Sequence, residues 1–132
     1  MNATYKRVLA ACLLTAASAS AHHSFLAEFD QRSPVTLEGT VKKVDWVNPH
    51  ARFDIEVKDE NGRIARWALE TGSPGALMLR GWTRNTVKPG DHIKVYGYQA
   101  RDKSSLAAAR SVLLKDGRKF FGGQMDDGGP EK

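Results

Sequence analysis

Apolar and polar residues alternate along most of the chain from residue 35 onward, with the period of two that is typical of half-buried β-strands. The pattern predicts a mainly β domain with five strands, near residues 35–47, 50–58, 63–70, 91–99 and 106–114. The residues expected to be buried on the apolar sides of these strands are Phe53, Ile55, Val57, Trp67, Leu69, Ile93 and Val95.

The first predicted strand changes phase in its middle. Its apolar residues alternate up to Val41, and after Lys42-Lys43 the apolar side continues at Val44. Such a shift is typical of a β-bulge, which allows a long strand to bend around a barrel. Asn48-Pro49 then ends the strand.

One short helix is predicted over residues 74–80, between the third and fourth strands. Ser73 can cap it, Pro74 suits its first turn and Gly81 ends it. The order of three strands, a helix and two strands, with a bent first strand, is typical of the OB-fold, a five-stranded barrel. We therefore expect a small OB-like barrel, and a generic β-sandwich or open sheet is the alternative.

The first 21 residues have the pattern of a secretory signal peptide. Lys6 and Arg7 precede an apolar run over residues 8–17, and Ala19-Ser20-Ala21 forms a cleavage site. The run is shorter than the roughly 20 residues of a membrane-spanning helix, so no transmembrane segment is expected. We expect cleavage after Ala21, a mature chain that begins at His22, and a periplasmic location.

Two other ways of processing this leader are compatible with the sequence. An overlapping site at Ala17-Ser18-Ala19 would make Ser20 the first residue of the mature chain. A lipoprotein-type site at Cys12 is less suitable, because the apolar stretch between Arg7 and Cys12 is shorter than a hydrophobic core of about seven residues.

The mature chain is expected to form one domain. Residues 22–34 would be an N-terminal segment, residues 35–121 the OB-like domain and residues 122–132 a mobile tail. Phe25, Leu26 and Phe29 could share one helical turn, which would either plug the barrel's open end or bind a partner. Phe120-Phe121 are expected to cover one end of the core.

The cysteine content and the net charge exclude some functions for this domain. Cys12 is the only cysteine and would leave with the leader, which excludes disulfides and thiolate chemistry. Loss of Lys6 and Arg7 would lower the net charge from +5 to +3, and the charges are mixed along the chain. This balance does not favour nucleic acid as a partner.

Segments spread along the mature chain resemble a family of small exported bacterial proteins that is catalogued as a domain of unknown function. The resemblance extends from His22 to about Gly122 and implies export and a compact β domain, but no established activity. The segments that carry it are AHHSFLAEFD, VTLEGTV, WVNPH, RGW, KPGD, GYQARD, ARSVLL and DGRKFF.

The candidate metal ligands are the four histidines, His22, His23, His50 and His92. After cleavage at Ala21, His22 would carry a free α-amine beside its imidazole, and these two nitrogens can chelate one ion in a six-membered ring. An imidazole from another histidine could complete a T-shaped site. All-nitrogen tetragonal sites suit Cu(II), which is the cofactor this pattern predicts.

Structural roles for the same histidines remain open. The adjacent pair His22-His23 could be a frayed terminus. His50 shares its strand side with the polar Arg52 and is suited to a turn, and His92 shares the outer side of the fourth strand with Lys94.

Two functions are compatible with the sequence. The first is an exported binding or accessory module that holds copper through His22. The second is a metal-free OB-type module that binds a protein, a glycan or a small ligand, with Tyr96, Tyr98 and Arg101 as its candidate contact residues. An enzyme is not expected, because the sequence lacks a nucleophile elbow, a zinc-protease helix and a phosphate loop.

Overall fold

Six strands and a six-residue helix make up most of the chain that the computed structural model describes, namely residue 25 and residues 27–123. The elements are β1 (Phe29–Asp45), β2 (Arg52–Lys58), β3 (Ile64–Glu70), α1 (Pro74–Leu79), β4 (His92–Ala100), β5 (Leu106–Leu114) and β6 (Lys119–Phe121). Residues 25, 27 and 28 are also helical. The predicted leader, His22, His23 and Leu26 lie outside the described residues.

The mainly β class and the position of the helix agree with the sequence prediction. Within the described residues, β1 pairs antiparallel with β2 and β4, β2 with β3, β4 with β5, and β5 with β6. A parallel pairing also joins β3 to β5, with Ala68 opposite Leu106 and Glu70 opposite Ala108. Each of β1 to β4 therefore has two strands as neighbours, and β5 has three. The predicted bulge is confirmed, because the register of β1 against β2 shifts between Val41 and Lys43.

The first strand begins earlier than predicted, at Phe29 rather than near Val35. Phe29 lies opposite Ala100 of β4, and the register then shifts before Pro34 lies opposite Tyr98. Residues 29–34 therefore belong to the sheet and not to a separate segment. Their sequence is mostly polar, so the alternation that reveals the rest of β1 is absent there.

The core contains most of the side chains predicted for it. Phe53, Ile55, Leu69, Ile93 and Val95 are each at most 1% exposed. The predictions for Val57 and Trp67 were too strong, because both side chains are only partly buried. Both lie toward the hairpin end of β2 and β3, where residues 64–66 are exposed. The burial of side chains therefore decreases toward that hairpin.

The short strand β6 was not predicted. It pairs with β5 from Ser111–Phe121 to Leu113–Lys119, and the carbonyl of Phe121 accepts a hydrogen bond from Nε1 of Trp82 at 2.8 Å. The Phe120 ring packs against Trp82 with centroids 5.3 Å apart. This agrees with the expectation that Phe120 covers part of the core.

The sheet continues into residues that were assigned to the tail. Gly122 is buried, its N–H donates to the Arg110 carbonyl at 2.8 Å and its own carbonyl accepts from Gly72. The N–H of Gly123 also donates to the Arg110 carbonyl, so the first two residues of the predicted tail are hydrogen-bonded to β5. Residues 124–132 lie outside the described part of the chain.

The helix α1 is capped as the sequence predicts. The Ser73 hydroxyl accepts from the Ala76 N–H at 3.2 Å, Pro74 occupies the first turn, and Gly81 adopts a φ of 86° just after the helix. In the described region, no helix has the length and apolarity needed to cross a bilayer.

Candidate functional site

His50 lies just before β2, after a cis peptide bond between Asn48 and Pro49. Its ring is half-buried, and Nδ1 lies 3.0 Å from the backbone carbonyl oxygen of Thr71. Because a carbonyl oxygen can only accept, Nδ1 carries the proton of this bond. In the neutral ring, Nε2 then keeps a lone pair that is available to a proton or a metal ion.

Glu70, the last residue of β3, is an acidic neighbour of that ring. Its carboxylate is buried, with Oε1 at 3.8 Å from Nε2 of His50 and Oε2 at 3.0 Å from Nη2 of Arg52. Arg52 and Glu70 face each other across the β2–β3 ladder. A buried carboxylate is costly unless it is paired and hydrogen-bonded, and Arg52 provides that pairing.

Glu28 brings a second carboxylate to the same region. Partial desolvation raises the pKa of the Glu28 carboxyl above its ordinary value, and the charge of Glu70 raises it further, whereas Arg52 and His50 lower it. These couplings mean that Glu28 lies within electrostatic range of the other three side chains. A groove of about 490 Å³ adjoins it and is lined by Ala27, Glu28, Ala100, Arg101, Asp102 and Leu106.

Two phenylalanines attach the start of the described chain to the sheet. Phe25 is 1% exposed, Phe29 is fully buried, and their rings lie 5.3 Å apart. They form a small core with Ala100 and Ala108, against which Tyr98 also packs. The N–H of Arg101 donates to the Glu28 carbonyl at 2.8 Å, which ties the same segment to the loop after β4. Residue 25 is therefore held in place close to Glu28.

His92, the other described histidine, has different partners. It is exposed at the start of β4, and its Nε2 lies 3.1 Å from Oε1 of Glu38 on β1. The hydrogen bond with His92, followed by the charge of Lys94, lowers the pKa of the Glu38 carboxyl. Neither Glu38 nor Lys94 belongs to the group around His50. Among residues 25 and 27–123, no group of three or more His, Cys, Asp or Glu side chains is arranged to hold a metal ion.

The three predicted contact residues of the sheet surface have different environments. Tyr96 is 38% exposed, whereas Tyr98 is half-buried because it packs against the Phe25–Phe29 core. Arg101 is exposed and lies beside Glu28. The structure therefore associates Tyr98 and Arg101 with the N-terminal segment, and leaves Tyr96 on a different part of the surface.

Comparison with known families identifies the chain. The model of a family of unknown function, DUF6152, matches residues 10–108, which is most of the sequence. The chain belongs to this family. No curated protein and no solved structure is significantly similar to it.

The DUF6152 match includes every residue of the group described above. It covers Glu28, His50, Arg52 and Glu70, and it ends within β5 before the last two of the segments that carry the resemblance. Sequence reasoning had selected His50 but missed Glu70 and Arg52. Counting outward from the predicted turn at residues 59–62 would have placed Arg52 opposite Leu69, one residue out of register. The observed pairing of Lys58 with Ile64 leaves five residues in the turn and places Arg52 opposite Glu70.

Proposed function

We propose that this DUF6152 member is an exported binding module, built on an OB-like barrel, that holds Cu(II) through a mature amino terminus at His22. The barrel is supported by the strand pairings, which run β1-β2-β3-β5-β4 and return to β1. A helix between the third and fourth strands also belongs to the OB arrangement. Export is supported by the basic, apolar and small-residue order of the first 21 residues.

The observation that carries the proposal is the burial of Phe25 three residues before Glu28, whose carboxyl is electrostatically coupled to Glu70, Arg52 and His50. Phe25 and Phe29 bury their rings in the small core, and Glu28 between them is coupled to Glu70, Arg52 and His50. Three residues span at most about 11 Å, so a terminus at His22 stays within that distance of Phe25. A chelating terminus would thus be held near a histidine and a buried carboxylate.

The chemistry of an N-terminal histidine favours copper. Its α-amine and imidazole nitrogen form a six-membered chelate, and tetragonal nitrogen sites suit Cu(II), which also has the highest intrinsic affinity in the divalent series. Binding requires loss of the amine proton, whose reference pKa is about 7.7–8.0. The affinity for Cu(II) should therefore rise between about pH 5 and pH 8.

The test is to extend the chain by one residue before His22. The extension removes the amine–imidazole chelate but keeps every imidazole, so the affinity for Cu(II) should fall at least about tenfold, or 1.4 kcal/mol. Isothermal titration calorimetry of both forms measures this, with Zn(II) expected to bind the native form less tightly. Equal affinity of the native and extended forms for Cu(II) would exclude the chelate.

A second candidate function is a metal-free interaction module. It is favoured by an apolar groove of about 460 Å³ beside α1, lined in part by Trp46, Met78 and Trp82. Val47 and Met78, which line the groove, are 54% and 57% exposed, and Leu79, the residue after Met78, is 88% exposed. A protein, a glycan or a small ligand could bind there, and equal copper affinity in the extension experiment would favour this function.

A further inference from the structure

We propose that the apolar side chains around α1 dock the protein onto an anionic phospholipid membrane, with Val47, Met78 and Leu79 entering the lipid and Arg84 contacting the headgroups. We call these four residues the docking surface. Val47 lies just after β1, Met78 and Leu79 end α1, and Arg84 follows that helix in the chain. The inference goes beyond the proposed function, because it involves neither copper nor the residues before Phe25.

The exposure of apolar side chains around α1 is the first argument. The sequence of the helix, PGALML, contains no polar residue, so the side that faces away from the core is apolar as well. Met78 is 57% exposed and Leu79 is 88% exposed. Val47, which lines the same groove as Met78, is 54% exposed. Clustered apolar side chains that remain in water are typical of a surface that binds a protein or a membrane.

The packing of the helix holds these side chains in place. Leu77 is fully buried, and its carbonyl accepts a hydrogen bond from the Trp82 N–H at 3.1 Å. Trp82 is also buried, and its Nε1 donates to the Phe121 carbonyl. Because successive residues of a helix point in different directions, burial of Leu77 leaves Met78 and Leu79 on the solvent side. The fold itself therefore presents them to a partner.

The positions of the exposed side chains favour an extended partner over a small ligand. Val47 and Met78 line the groove of about 460 Å³, but Leu79 is not among the residues that line it. A ligand inside the groove would leave Leu79, the most exposed of the three, in water. The boundary of a bilayer would cover all three side chains, since apolar surfaces of membrane-bound proteins enter it by about 5–10 Å.

The charges near the docking surface favour an anionic membrane. Among the described residues that line the groove, Arg84 is the only charged one, and its side chain is exposed. Arg80 comes directly after Leu79. From Arg80 to Gly123 the sequence contains ten lysines and arginines but three aspartates and glutamates. Cations beside exposed apolar side chains attract anionic lipids, and they would repel the same surface of a second copy.

The experiment mixes the full mature chain with sucrose-loaded vesicles of phosphatidylcholine, prepared with or without phosphatidylglycerol, and measures binding by sedimentation. We expect binding to the anionic vesicles that weakens as salt screens the charges, and weaker binding to the neutral vesicles. The double variant Met78→Ser/Leu79→Ser should bind the anionic vesicles at least about tenfold more weakly. Both side chains are exposed, so the variant keeps its core.

The matched control for the double variant is Ile64→Ser. Ile64 is 65% exposed and begins β3, so the substitution removes an exposed apolar side chain outside the docking surface. Its binding to the anionic vesicles should equal that of the unmodified protein. An equal loss in Ile64→Ser and in the double variant would overturn the inference.

Arg84→Gln tests the charge separately. It should weaken binding to the anionic vesicles about fivefold and leave binding to the neutral vesicles unchanged. Lys58→Gln is the control, because it removes the same charge from an exposed lysine at the end of β2. Equal effects of the two variants would mean that net charge attracts the protein to the vesicles, and would overturn the assignment of this surface.

Tryptophan fluorescence locates the contact in the unmodified fold. Trp46 lines the groove and is half-buried, whereas Trp67 lies on β3. Vesicles of brominated phosphatidylglycerol should quench the emission of the bound protein, and Trp46→Phe should remove more of this quenching than Trp67→Phe. The opposite order would place another part of the protein against the membrane and overturn the inference.

Two further results would contradict a membrane as the partner. The first is unchanged or absent binding to anionic vesicles in the comparison of the unmodified protein with the double variant. The second is a dimer, seen by sedimentation velocity, that dissociates in Met78→Ser/Leu79→Ser. A second copy of the chain would then occupy the docking surface.

Discussion

At the scale of single residues, Arg52 and Glu70 form an ion pair between β2 and β3 in which the carboxylate is buried. Glu70 is 7% exposed, and the Arg52 guanidinium donates a charge-assisted hydrogen bond to its carboxylate at 3.0 Å. Removal of one partner of a buried pair leaves an uncompensated charge, which is more costly than the loss of a surface ion pair. The pair should therefore contribute to the stability of the fold.

Replacement of Arg52 tests the structural part of this role. Arg52→Met keeps the aliphatic stem but removes the charge, and we expect the free energy of unfolding to fall by about 1–3 kcal/mol, since Arg52 itself is partly solvated. Urea unfolding followed by tryptophan fluorescence measures the change.

The matched control is Arg66→Met. Arg66 lies 3.4 Å from the half-buried Glu56 and is well exposed, so its loss should cost less than about 1 kcal/mol. Equal effects of the two substitutions would mean that Glu70 does not depend on Arg52.

At the scale of elements, the strands with a regular alternation of apolar and polar residues could be predicted from the sequence. Strands β2 to β5, the bulge after Val41 and the cap of α1 all follow from local patterns. The start of β1 is mostly polar and β6 has three residues, so neither contains enough alternation to be recognised. His50 was a candidate because of its residue type. Glu70 was missed because alternation does not reveal that a carboxylate will be buried beside β5.

Two glycines mark places where neighbouring strands leave no room for a side chain. A Cβ on Gly97 would lie 1.9 Å from the Ala108 carbonyl oxygen, and one on Gly39 would lie 2.2 Å from that of Glu56. Both contacts are with backbone, which cannot move aside without disturbing the ladder. Gly97→Ala should therefore destabilise the protein by about 3 kcal/mol, measured as a lower free energy of unfolding in urea.

Gly75→Ala is the control for that substitution. Nothing lies within 4 Å of a Cβ on Gly75, which is in the helix α1. Alanine there should leave stability unchanged or raise it by up to about 1 kcal/mol. A similar loss for both variants would mean that the close strand contact at Gly97 is not the cause.

At the scale of the whole molecule, the proposed site depends on two separate features of the N-terminal region. One is the cleavage position of the leader, and the other is the attachment of Phe25 and Phe29 to the sheet. In the proposed function, cleavage of the leader would set the first residue of the mature chain, and the buried Phe25 and Phe29 would attach the residues that follow it to the sheet. A difference of one residue at the cleavage site would therefore separate a chelating terminus from an inert one. The position of cleavage is part of the proposed chemistry.

Processing can be checked directly. Protein exported by a Gram-negative host should give His-His-Ser-Phe on N-terminal sequencing, because Ala19-Ser20-Ala21 presents small residues at the cleavage site. A mature start at Ser20 would preserve export and eliminate the chelate. An acylated Cys12, detected by mass spectrometry, would contradict both expectations.

The unpredicted strand β6 has a consequence for how the protein avoids aggregation. β5 is an apolar run with one charged residue, LAAARSVLL, of the kind that readily recruits other chains along an open edge. One edge is occupied by β4. On the other, β3 covers residues 106–108, and β6 with Gly122 covers residues 110–113. A chain that ends before Lys119 would keep its main core but would expose the backbone N–H and C=O groups of β5 to pairing with another chain. β6 therefore protects the edge of β5 from intermolecular strand pairing.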